Sequence, residues 1–93
     1  MKNRVRLLFK PSLTNLAGYD FGLDVYNEQV KGKIDIKEEF EIEFPEQIKV
    51  VAYSFVQGFF KQIVSEIGLA ETENRLRIIA KNDLENVIKR KLI

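Results

Sequence analysis

The sequence predicts an α/β fold, a small mixed sheet of about four strands with three helices packed on it. Three observations carry this. Apolar residues recur at period two in some stretches and at spacings of three and four in others, and the two kinds alternate along the chain. Two of the helical stretches open on a Ser or Asn followed three residues later by Gln or Glu, the signature of a capped N-terminus. The 93 residues are 45% hydrophobic and include 7 Phe, which suits one core and a single domain over 1–93.

Val5, Leu7 and Phe9 alternate with Arg4, Arg6 and Leu8 as a strand does, and Lys10-Pro11-Ser12 ends it. From Leu13 the period changes. Leu16, Tyr19, Leu23, Tyr26 and Val30 form one helical stripe, with Ser12 or Thr14 as the N-cap and Gly32 as the stop. Gly18 and Gly22 lie inside it, each costing about 1 kcal/mol relative to Ala in a helix interior. Either the first turns are irregular or both glycines admit another backbone.

Ile34 and Ile36, then Phe40, Ile42 and Phe44, alternate again, with Glu39, Glu41 and Glu43 on the other face and Pro45 closing the strand. Lys37-Glu38-Glu39 reads as a hairpin turn or as strand interior. The β-branched run 48–52 pairs briefly or bridges to the next helix. That helix is the best-marked element: Ser54 and Gln57 form a capping box, and Gly68 is the C-cap. Its apolar face runs through Phe55, Val56, Phe59, Phe60, Ile63, Val64 and Ile67. Leu76, Ile78 and Ala80 alternate with Arg75, Arg77 and Ile79 in a further strand. Asn82 and Glu85 cap a last helix buried through Leu84, Val87, Ile88 and Leu92, and Lys89-Arg90-Lys91 suits the negative end of its dipole. Strands alternating with helices imply a sheet that is at least partly parallel.

Composition excludes much chemistry. Lys and Arg number 15 against 14 Asp and Glu, so the net charge of +1 lacks the positive excess of a general nucleic-acid binder. With no His and no Cys, thiolate chemistry, most zinc sites and the commonest general base near neutral pH are excluded. A fold without disulfides suits the cytoplasm. No apolar stretch approaches the ~20 residues of a membrane span, and the apolar stretch after the basic start stops at Phe9, unlike a signal peptide. No cofactor, metal or membrane partner is expected, and no enzymatic activity.

The basic start, Lys2, Arg4, Arg6 and Lys10, reads as charge on the exposed side of an edge strand. Glu39, Glu41 and Glu43, with Glu46 beyond, form an acidic strand face that is either solvated or a surface for a basic partner. Asp20 and Asp24 at i, i+4 lack a third ligand for a metal. Ser54 has no His to activate it, and nothing in the spacing brings Lys49 or Lys61 to it as a base. Around Ser54, however, Gly58, Lys61, Gln62 and Ser65 make a small, polar face on an otherwise apolar helix. A hydroxyl at a helix N-terminus is well placed for phosphorylation, because the dipole favours the added negative charge. Gly58 costs helix stability, which favours either close internal packing or a docking surface.

The stretch from Phe40 to Phe60 resembles the centre of the STAS-like domains, small bacterial domains related to the anti-sigma-factor antagonists. Glu43-Phe44 at a strand end, Ile48 in the loop and Ser54-Phe55 opening an amphipathic helix carry the resemblance. It extends over about residues 34 to 92 and implies a STAS-like α/β fold. In the antagonists the Ser at this helix start is phosphorylated by an ATP-binding kinase that is also the anti-sigma factor, and Ser54 is the matching position. The chain departs in carrying Ala52-Tyr53 where the antagonists carry Asp-Ser.

The expected function is therefore that of a non-enzymatic regulatory module. It would bind a protein partner, by resemblance a histidine-kinase-like ATPase, through Ser54, Gly58, Lys61, Gln62 and Ser65, with Ser54 the candidate phosphoacceptor. The alternative is a small phage or mobile-element inhibitor acting through the acidic face of Glu39, Glu41, Glu43 and Glu46.

Overall fold

Five short strands and four α-helices make up the described residues, 3–81 and 83–92, of the computed structural model. In chain order they are β1 (Arg4–Arg6), β2 (Asn15–Leu16), α1 (Tyr19–Val25), β3 (Phe40–Glu43), β4 (Val50–Val51), α2 (Tyr53–Ile67), α3 (Leu69–Arg75), β5 (Leu76–Ile79) and α4 (Leu84–Leu92). The strands divide between a three-stranded sheet of order β1-β3-β5 and a two-stranded pair β2-β4. Every pairing among the described residues is parallel, so the mixed sheet expected from the sequence is two parallel ones. Period-two alternation turns Leu7, Phe40, Ile42, Phe44, Leu76 and Ile78 into the core. The same alternation leaves Arg4, Arg6, Glu41, Glu43, Arg77 and Ile79 on the outward face.

The helix expected from Leu13 begins only at Tyr19. Leu16, read as the first residue of its stripe, belongs to β2 and pairs with Val51 of β4. Gly18 supplies the turn between them at φ 103°, a conformation that side chains resist. After Val25 the helix widens into a π turn over Tyr26–Val30, closed by the Lys31 N–H donating to the Tyr26 carbonyl at 2.9 Å. Residues 34–39, expected to begin the next strand, are turns instead. Asn3 holds them: its Nδ2 donates to the carbonyls of Asp35 and Glu39, and its Oδ1 accepts the Asp35 N–H at 2.8 Å. Ile34 and Ile36 alternate because they pack against the core, without strand pairing.

α2 keeps its expected span but not its expected cap. Ala52 precedes the helix, and no side chain caps its first amides. The Ser54 hydroxyl instead accepts the Gly18 N–H at 2.9 Å, and the Gln57 amide donates to the Lys91 carbonyl at 3.1 Å. Two residues placed as a local capping box thus tie α2 to α1 and α4. Gly68, at φ 85°, ends α2 as expected and also opens α3, a helix the sequence reading did not foresee. The Asn82 cap lies outside the described residues. α4 follows with Lys89, Arg90 and Lys91 in its last turn.

The core centres on Phe59. Its ring stacks on Phe55 at 5.5 Å and meets Phe60 and Tyr26 edge-on at 4.9 and 5.9 Å. α1 reaches α2 where two glycines face it from either side. A Cβ on Gly22 would overlap the Phe55 carbonyl and stand 2.6 Å from the Phe59 nitrogen, and a Cβ on Gly58 would overlap the Tyr19 carbonyl. The helices therefore cross backbone to backbone.

Candidate functional site

The residues picked out around Ser54 do not stay together. Ser54 is exposed in the first turn of α2, its hydroxyl engaged by the Gly18 amide. Gly58 is buried beneath Tyr19, which removes it from the accessible face: its missing side chain serves the α1–α2 crossing. Gln62 is half-buried and does not line the cleft described next.

Lys61 and Ser65 are exposed, and they line a cleft of about 350 Å³ along α2. Its floor is apolar, formed by Val56, Phe60 and Val64; Tyr19 of α1 and Leu69 at the start of α3 are the large apolar residues at its rim, 39% and 37% exposed. Tyr19 and Leu69 were not singled out from the sequence. Their place here depends on where α1 begins and on an unforeseen helix.

The acidic strand face changes character once the neighbouring strands are in place. In register, Arg4 stands beside Glu41 and Arg6 beside Glu43, while Arg77 stands on the other side of Glu41. Arg4 bonds Glu43 at 2.8 Å and approaches Glu41 at 3.8 Å, and Arg6 lies 3.7 Å from Glu43. Arg77 faces Glu39 at 3.9 Å, and Lys81 bonds Glu46 at 3.0 Å. All four carboxylates of the proposed acidic surface are paired inside the molecule. The Arg4 hydrogen bond holds the Glu43 carboxyl below the usual carboxylate range, and Glu43 in turn raises Arg4. Oε1 of Glu41 is buried without a hydrogen-bond partner among the described residues.

Among the described residues no group of three or more Asp or Glu side chains is gathered as a metal site would need, and no helix is long and apolar enough to cross a membrane.

A family model described as a STAS-like domain of unknown function (DUF4325) matches residues 22–85. The chain belongs to this family. No curated protein and no solved structure matches it. The matched segment of the STAS-like domain begins at Gly22, at the α1–α2 crossing, and holds β3, β4, α2, α3 and β5 entire. Ser54, Lys61 and Ser65 lie within it, while β1 and β2 lie before it.

Proposed function

We propose that this STAS-like domain is a non-enzymatic regulatory module that binds a partner protein through the exposed side of α2. The observation that carries the reading is the α2 cleft. It is an open, apolar-floored groove edged by Lys61 and Ser65, on the same helix whose first turn exposes Ser54. An apolar core with a polar rim is how protein interfaces are built. A histidine-kinase-like ATPase is the partner type, from the likeness to the anti-sigma-factor antagonists. Ser54 is the candidate phosphoacceptor: a phosphate there would sit at the positive end of a 15-residue helix dipole. The reading through Glu39, Glu41, Glu43 and Glu46 has less support, because those carboxylates are already paired.

The test is capture of partners from native cell extract with the parent chain and with Lys61→Glu, Ser65→Arg and Ser54→Asp variants, each checked for an unchanged melting temperature. Arg77→Glu, on the outward sheet face, is the control. An ATP-binding protein should be retained by the parent and by Arg77→Glu and lost from the α2 variants. Retention by all of the α2 variants would remove α2 as the interface.

A further inference from the structure

A second hollow, of about 490 Å³, shares no lining residue with the α2 cleft. One wall is the connection after β1, where Leu8, Phe9 and Leu13 line it; the other is α1 and the π turn, with Phe21 and Val25. Leu8 is 71% exposed and Phe21 36%, so large apolar surface stands open on both walls. The hollow is rigidly built. The Gln29 side chain, carried by the π turn, accepts the Leu8 N–H at 2.7 Å and donates to the Leu8 carbonyl at 2.8 Å, pinning one wall to the other. Its floor continues into the core, because the Phe21 ring tilts against Phe9 at 6.3 Å and Phe55 at 5.6 Å.

Along the helical wall runs a row of carboxylates. Glu28 lines the hollow, and Asp20 and Asp24 precede it at four-residue intervals beside Phe21 and Val25, all three exposed. None of them forms an ion pair among the described residues, so all three charges are open to a partner. The cation in the lining, Lys10, belongs to the opposite wall.

We infer that this hollow docks a basic amphipathic helix of a partner protein, its apolar side chains seated between Leu8 and Phe21 and its Lys or Arg residues along Asp20, Asp24 and Glu28. Asp20 and Asp24 are spaced by about 6 Å along α1, the rise of four helical residues, with Glu28 following in the π turn, and basic residues at i, i+4 on a partner helix lying alongside repeat at that interval. A docking strand would instead need the outward N–H and carbonyl of Leu8, and Gln29 occupies both. A wall fixed beforehand also lowers the ordering cost of binding. The inference does not depend on the α2 cleft.

The test uses the full chain and two labelled peptides, an amphipathic Leu/Lys helix and its Leu/Glu counterpart, followed by fluorescence anisotropy. The Leu/Lys peptide should bind and the Leu/Glu peptide should not. Leu8→Asp should weaken binding by about tenfold or more, since an exposed apolar contact becomes a buried charge. The double reversal Asp24→Lys with Glu28→Lys should weaken it several-fold at low salt and less at about 0.5 M salt, where surface charges are screened. Ser65→Arg, which adds a positive charge to the α2 cleft, should bind as the parent does. Equal binding of both peptides, no binding by the parent, or indifference to both hollow variants overturns the inference. So does loss of binding in Ser65→Arg, which would place the peptide on α2. Self-association in sedimentation velocity that Leu8→Asp abolishes would give the hollow to a second copy and overturn it equally.

Discussion

Ser54 and Gly58 lie one helical turn apart in α2, and both reach across to α1. The Ser54 oxygen takes the Gly18 amide at the start of α1, while Gly58 lets the Tyr19 carbonyl lie on the α2 backbone. The sequence offers a local cap for the one and leaves the other open between close internal packing and a docking surface. Had Gly58 been exposed, Ala would add about 1 kcal/mol of helix stability. Buried as it is, a methyl there has backbone on its far side, and backbone cannot swing away as a side-chain tip can. Gly58→Ala should therefore destabilise the fold by roughly 2–3 kcal/mol or more, the cost of overpacking. Urea denaturation of the variant measures it. A variant as stable as the parent would mean that α1 does not cross α2 at this point.

Elements whose pattern is written locally were legible in the sequence, and those defined by distant partners were not. α2, β5 and α4 follow from residues within each segment: an apolar stripe, strict alternation, a basic last turn. α1 was begun too early because Leu16 and Tyr19 are three apart, a helical spacing, although Leu16 is held by Val51 from a strand far along the chain. Ile34 and Ile36 alternate without pairing, since packing on a core imposes the same period as a sheet face. α3 is not legible because the glycine that ends α2 reads as a stop, and its φ of 85° serves equally as an entry. Of the candidate site, Lys61 and Ser65 came from helical periodicity alone, whereas Tyr19 and Leu69 needed the tertiary arrangement. The sheet itself offers a pH test. Glu43 is held below its ordinary value of 4.5 by Arg4, so its ionised form is favoured in the folded state. That stability is present above about pH 4.5 and is lost as the pH falls through the lowered native value. Glu43→Gln should melt nearly as the parent does below the native value, and it should lack much of the parent's rise in melting temperature toward neutral pH. Parallel melting profiles would show that the Arg4–Glu43 bond does not form in solution.

Across the molecule, charge and apolar surface are sorted in a way no single segment displays. The basic start and the acidic strand lie far apart in sequence and looked like two separate patches. As neighbouring strands they neutralise one another, and the outward sheet face becomes a lattice of Arg and Glu. Asp20, Asp24 and Glu28, by contrast, lie on the helical side of the molecule, away from that lattice. Inside, one continuous cluster runs from Leu7 of the β1 connection through Phe40, Phe59 and Leu76 to Leu92 at the end of α4. With both sheets and α2 and α4 contributing to that cluster, no helix or strand pair has a separate core to retain once the rest is lost. The Tyr26 ring reports on this centre, packed edge-on against Phe59, while far-UV circular dichroism reports on all the helices at once. Urea unfolding followed by tyrosine fluorescence and by circular dichroism should therefore give superimposable curves with one midpoint. Two separated midpoints would mean that part of the helical structure survives disruption of the Phe59 cluster, and the sheets and helices would then have to be treated as distinct folding units.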